Sequence, residues 1–153
     1  MAKRKRPPLV VGWREVVALP ELGVDALKAK VDTGARTSAL HATRVREDER
    51  DGSPWVRFLV HLAQRGHGAT LEVSAPLLEM REVRSSNGVV QRRPVIRTAV
   101  TLSDRSWPIE LTLTARPEMG FRMLLGRTAL RRMALVDPGR SYVASAKPPS
   151  EEG

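Results

Sequence analysis

Between Leu9 and Ser145 the chain is a succession of short β-prone runs broken by turn signals, and only Thr128 to Met133 has helical character. Leu9 to Leu19 is rich in valine and ends at Pro20, and Val24 to Val31 forms the next run. In Trp55 to Leu62, residues Val56, Phe58, Val60 and Leu62 alternate with Arg57, Leu59 and His61, the two-residue period of a strand with one buried face. Leu71 to Ala75 follows a turn at Gly66 and Gly68. Met80 to Arg84 and Val89 onward flank Ser85-Ser86-Asn87-Gly88, and Asn-Gly between β-prone runs signals a hairpin. A second hairpin is expected from Val95 to Leu102 and Trp107 to Ala115 about Ser103-Asp104-Arg105, with Thr112, Leu113 and Thr114 alternating as a half-exposed strand would. Asp137-Pro138-Gly139 reads as a turn, and no internal repeat is present. The expected fold is a small, closed all-β domain with one short C-terminal helix.

At 153 residues and 41% hydrophobic content the chain suits one globular domain rather than a disordered segment. Residues 1–8 are expected to form a flexible basic arm, 9–145 the domain, and 146–153 a disordered tail. No apolar run approaches the roughly 18 residues of a membrane span. The basic start is not followed by an apolar segment of secretory type, and cysteine is absent, so a cytoplasmic location is expected. The 26 basic and 17 acidic residues give a formal charge of +9. That surface favours acidic partners: a glutamate-rich peptide, nucleic acid or the ribosome. It equally suits a merely solvated basic face.

Asp32 carries the chemical signal. It sits in Val31-Asp32-Thr33-Gly34-Ala35, the form of an aspartic-peptidase active-site loop. About 90 residues downstream lies Met123-Leu124-Leu125-Gly126-Arg127, two hydrophobic residues followed by Gly, which such enzymes use to brace that loop. Asp-Thr-Gly alone also fits an ordinary turn. The two pieces in this order are far more specific.

Lys30 to Ala42, Gly12-Trp13-Arg14-Glu15, Leu19 to Gly23, Val95 to Thr98, Trp107 to Glu110, Met123 to Leu130, and Val136 to Pro138 with Ser141-Tyr142 together resemble a bacterial retropepsin-like aspartic peptidase family. Its members are often labelled ATP-dependent zinc protease or RimK-associated protease, RimB. The resemblance spans roughly residues 9–145. It implies a retropepsin-like closed β-barrel whose active site forms across a two-fold homodimer. Two carboxylates around one water share a proton, one acting as base toward the water and the other as acid toward the substrate carbonyl. The chain has one Asp-Thr-Gly, so each protomer would contribute Asp32. Thr33 and Gly34 complete the catalytic loop, Thr33 by locking the two loops together and Gly34 by letting the backbone approach the carboxylates. Ala35, Arg36 and the hairpin turn Ser85, Ser86, Asn87 and Gly88 are implied to contact substrate, the hairpin as a flap that excludes water. Leu124, Leu125, Gly126 and Arg127 are implied to support the loop.

Two departures and one label qualify the resemblance. Retroviral relatives carry an acidic residue after Asp-Thr-Gly-Ala, paired with the Arg after the late Gly. This chain has Arg36 there, so Arg127 needs another partner. The flap carries Gln91, Arg92, Arg93 and Pro94, where family members are more acidic and aromatic. The label names zinc and ATP, yet the chain lacks His-Glu-x-x-His, cysteine and a P-loop, so no metal site and no cofactor are assigned. His41 reads as a strand-end histidine or a substrate contact. Family resemblance also implies RimK-type ATP-grasp ligases as partners, which add glutamates to protein C-termini, and hence a glutamate-tailed substrate. Two readings stay open beside the endopeptidase: a non-catalytic module that holds peptide tails, and a basic ribosome- or nucleic-acid-associated protein. The aromatics are too few for a base-stacking platform, which weighs against the last.

Overall fold

A computed structural model describes residues 6–62, 69–84, 87–115 and 120–148. Eleven strands and one helical turn make up the described regular structure, besides a short 3-10 turn at Pro20–Leu22. The strands are β1 (Leu9–Val11), β2 (Arg14–Leu19), β3 (Val24–Val31), β4 (Ser38–Arg50), β5 (Ser53–His61), β6 (Thr70–Pro76), β7 (Glu79–Arg84), β8 (Val90–Leu102), β9 (Arg105–Thr114), β10 (Met123–Leu125) and β11 (Ala134–Val136). The helix α1 is Arg127–Leu130. The fold is nearly all-β, as the punctuated β-prone runs predict.

Strands order as β10-β3-β2-β8-β9-β4-β5-β6, and β10 also pairs with β4. The pairings from β10 through β3, β2, β8, β9 and β4 therefore return to β10 and close a ring. Buried Leu40, Val56, Phe58, Ile96, Leu111 and Leu125 fill the core. Burying each such side chain contributes about 1.5–3 kcal/mol. β5 shows the expected alternation, with Val56, Phe58 and Val60 buried.

Three features differ from the sequence reading. Leu9 to Leu19 splits at Gly12-Trp13, and β1 leaves to pair with β11 in a separate two-stranded sheet. A Cβ at Gly12 would lie 2.3 Å from the Arg140 carbonyl oxygen, so only Gly lets the Arg140 backbone pack this close to the break. Thr112 is buried rather than half-exposed, because its hydroxyl donates to the Ser38 carbonyl at 3.2 Å. β4 has no counterpart in the sequence reading. Its outer half, Arg44 to Arg50, is almost all charged and mostly exposed, and it is held by its backbone ladder to β5 rather than by an apolar face.

The N- and C-terminal parts of the chain meet at Glu15. This fully buried carboxylate accepts from the backbone N–H of Gly12 at 2.6 Å, Val143 at 2.8 Å and Ala144 at 3.1 Å, and from Ser145 Oγ at 2.6 Å. Arg14 alongside lies over the rings of Trp13 and Tyr142 and donates to Ser141 Oγ at 3.0 Å. Stacked arginines of this kind add about 0.5–1 kcal/mol each where exposed. Of the expected tail, residues 149–153 lie outside the described residues, as do residues 1–5 of the expected arm.

Candidate active site

β3 delivers Asp32 to the end of the ring. Strand β10 lies parallel to β3, with Leu124 opposite Lys30 and Leu125 opposite Val31, and antiparallel to β4, with Leu124 opposite Ala39. The hydrophobic pair thus sits between the strands on either side of the Asp-Thr-Gly loop. The Asp32 N–H donates to the Leu125 carbonyl at 2.9 Å, and Val31 N–H to the Trp13 carbonyl at 2.8 Å. Gly34 N–H donates to Asp32 Oδ1 at 2.9 Å, an Asx-type turn that aims the carboxylate. A Cβ at Gly34 would sit 3.1 Å from that oxygen and press on it. Asp32 is half-buried, while Thr33, Gly34 and Arg36 are exposed and Ala35 is half-buried.

Gly126 passes directly beneath the loop. A Cβ there would lie 2.5 Å from the Thr37 carbonyl oxygen, closer than real contacts come. Backbone bonds use that proximity: Arg127 N–H donates to the Ala35 carbonyl at 2.7 Å, and Thr128 N–H to the Arg36 carbonyl at 3.1 Å. Gly126 N–H donates to the buried Ser38 Oγ at 3.0 Å. Arg127, without an acidic residue at position 36, instead donates from Nη1 to the Thr33 carbonyl at 3.0 Å. The guanidinium therefore tethers the loop through its backbone. Ser38 holds the loop as a support, the role its sequence position suggests, and Trp13 is a loop-holding residue that the sequence reading did not assign to the site. Trp13 acts through its backbone carbonyl, a contact made only on folding, so its side chain gives no signal of that role.

The proposed flap is the β7–β8 hairpin, with Arg84 opposite Val90 and Glu79 opposite Val95. Ser85 and Ser86 lie outside the described residues; Asn87 and Gly88 occupy the turn, Gly88 with φ of 84°. Val83 and Arg84 of the hairpin face Arg36 and Thr37 across two cavities of about 800 and 340 Å³. The hairpin base therefore faces the segment that follows Asp32-Thr33-Gly34.

His41 is buried on β4, with its ring 5.0 Å from that of His61, whose Nε2 lies 2.6 Å from Thr43 Oγ1. Among the described residues no group of three or more His, Cys, Asp or Glu is placed to hold a metal. Burial, then the charge of Arg122 and the proximity of His61, push His41 below its ordinary value of 6.5, against a smaller upward pull from the Thr114 backbone. The unfolded chain thus binds a proton here more readily than the native one. Native stability is full above about pH 6.5 and falls as the pH drops through the lowered native value. His41→Asn is expected to flatten this acid limb, so that its urea midpoint changes less than the wild type's between about pH 7.5 and about pH 5. Parallel curves for the two proteins would contradict this assignment.

A family model described as the retropepsin-like aspartic endopeptidase RimB matches residues 10–147. The chain belongs to the RimB-like family. A RimB-like protein of this size is also similar to part of longer proteins. It is 44% identical over 133 residues to a probable alpha-L-glutamate ligase of Shewanella halifaxensis, covering 87% of this chain and 29% of that protein. It is 46% identical over 134 residues to a probable alpha-L-glutamate ligase of Parasynechococcus marenigrum, covering 88% and 29%. The chain thus spans under a third of the length of these curated relatives. The fold is similar to the crystal structure of a Legionella pneumophila protein of unknown function, with a TM-score of 0.73 and 28% identity over 89% of this chain and 98% of that one. Among the described residues no helix is long and apolar enough to cross a membrane.

Proposed function

We propose that this RimB-like protein is a cytoplasmic aspartic endopeptidase that works as a homodimer, Asp32 from each copy flanking one water. The observation that carries the reading is the clamp on Asp32: its N–H bonded to the Leu125 carbonyl, and its Oδ1 held by Gly34 N–H. That geometry presents a half-buried carboxylate at a loop end, backed by strand β10, which pairs with both β3 and β4. Two such groups share one proton; the ionised one takes a proton from water as the other donates to the scissile carbonyl. The exposed Thr33 then meets its counterpart across the two-fold axis.

The second copy is placed on the face that carries Thr33. There Thr33, Leu130, Leu135 and Val136 line one groove of about 420 Å³. Leu135 is 59% exposed, and its register partner Val10 45%. Exposed apolar groups that adjoin a half-site are suited to burial against a copy of themselves. An acidic substrate is favoured by the charge of +9. The relatives named as glutamate ligases, in which a similar segment shares a chain with further sequence, favour a glutamate-tailed protein and a RimK-type ligase as the partner that makes it.

Sedimentation equilibrium and mass-spectrometric cleavage of a peptide pool containing glutamate-tailed members test this together. Wild type is expected to be dimeric and to cleave. Leu135→Arg is expected to be monomeric and inactive, because a charge in that interface goes unpaired. A fully active monomer would sink the shared-site mechanism.

A further inference from the structure

The ladder between β4 and β5 is interrupted by a bulge. Thr43 lies opposite Leu59 and Arg46 opposite Arg57, so Arg44 and Val45 together oppose Phe58. Arg44 takes a φ of 51°, the left-handed region that bulges of this kind usually give to glycine. A residue with a Cβ is strained there, and such strain persists where something else requires it. The bulge also sets the register beyond it. Without the extra residue Val45 would oppose Arg57, and Arg46 would turn to the face of buried Val56. With it, Arg46 and Arg57 stand directly opposite each other, and like charges so placed destabilise a sheet.

Both irregularities meet at one cavity of about 200 Å³, lined by Arg44, Arg46 and Arg57 with Phe58, Leu59 and Glu72. Glu72 already pairs with Arg57, Oε1 lying 2.6 Å from Nη2. Asp48 adds a weaker attraction to the same arginine. Among the described residues the side chains of Arg44 and Arg46 make no hydrogen bond or ion pair. None of the residues lining this cavity lines the two beside the Asp32 loop.

We propose that this cavity binds the phosphate group of a phosphate monoester, at a site separate from the catalytic cleft. Several guanidinium groups lining one cavity suit a ligand with three terminal oxygens, whereas a carboxylate has two and one fork fills them. A monoester phosphate carries about −1.5 to −2 charges at pH 7, which balances the two arginines that Glu72 does not reach. Side chains directly opposite on paired strands have Cβ atoms about 4.5–5.5 Å apart, so the forks of Arg46 and Arg57 reach one ligand together. Phe58, buried beneath the bulge, places apolar matter on one side of the charges and strengthens their pull on an anion. A nucleic-acid strand needs a track of successive phosphate contacts rather than one small cavity. The site makes no use of Asp32 and stands whether or not the protein cleaves peptides.

Thermal melts and calorimetric titrations with inorganic phosphate and phenyl phosphate test the site, against sodium chloride and sodium benzoate at matched ionic strength. A ligand that binds only the native state raises the melting temperature, and saturating phenyl phosphate is expected to raise it by about 4 °C or more. Arg44→Gln and Arg46→Gln are each expected to weaken phenyl phosphate binding by about tenfold. Both arginines are exposed, so these variants leave the core untouched. Arg44→Gly is expected to lose binding similarly while melting about 2–4 °C higher in chloride, because glycine relieves the strain at the bulge. Arg36→Gln, in the cleft beside Asp32, is expected to bind phenyl phosphate as wild type does. Equal melting temperatures in phosphate, phenyl phosphate and chloride overturn the site. Benzoate acting as strongly as phenyl phosphate does so too, since the cavity would then not select phosphate. Binding lost in Arg36→Gln but kept in Arg44→Gln would move the anion to the cleft and likewise overturn it. Oligothymidylate that binds more tightly than phenyl phosphate through Arg44 and Arg46 would replace the monoester with a nucleic-acid backbone.

Discussion

Replacing Asp32 with Asn is expected to lower peptide hydrolysis by about 10³-fold or more, since general acid and base roles are each worth about 10²–10⁴. In the variant dimer neither side chain can take a proton from water, so both roles are lost together. The loop itself should persist. The bond from position 32 to the Leu125 carbonyl is a backbone bond, and an amide oxygen can still accept from Gly34 N–H. The melting temperature is accordingly expected to stay within about 4 °C of wild type, the shift produced by roughly 1 kcal/mol or less. Mass spectrometry of a peptide pool and a thermal melt on the same preparations check both halves. Undiminished cleavage by Asp32→Asn would move the catalyst elsewhere. No cleavage by either protein, with the dimer intact, would favour a module that holds peptide tails.

The second large effect belongs to Glu15, far from the chemistry. Glu15→Ala is expected to destabilise the protein by about 3 kcal/mol, because one buried and three half-buried donors lose their acceptor at once and an unsatisfied buried donor costs about 1–3 kcal/mol. Those donors are the N–H groups of Gly12, Val143 and Ala144 and the Ser145 hydroxyl. The costs are not additive, since the segment around Val143 can detach and meet water. Glu15→Gln should recover only part of the loss, because an amide turns one acceptor into a donor facing other donors. Denaturant unfolding gives the magnitude. Hydrogen exchange at Val143 and Ala144 gives the mechanism, as their protection should fall further than that of the ring strands. A variant as stable as wild type would show that water replaces the carboxylate without penalty.

The same distinction between local and long-range contacts explains what was legible in the sequence. Asp32-Thr33-Gly34 is a turn written in adjacent residues, and Leu124-Leu125-Gly126 is a short strand ended by a glycine, so each is visible without the other. Their juxtaposition follows from β10 entering between β3 and β4, which no local pattern encodes. β5 declares itself through alternation, but the outer half of β4 does not, because a strand held by its backbone ladder needs no apolar face.

Sequence alone determined the β-rich class, the turns at Asn87-Gly88, Ser103-Asp104 and Pro138-Gly139, and the Asp32 loop with its nearby glycine, because each depends on the backbone freedom or period of neighbouring residues. Only the tertiary structure decided that Arg127 binds the Thr33 carbonyl, that Glu15 gathers a segment nearly 130 residues away, and that five cations from three strands and two loops line one cavity. Those contacts join residues that are strangers in the chain. They exist only once the ring of strands has closed and buried Leu40, Leu111 and Leu125 at its centre.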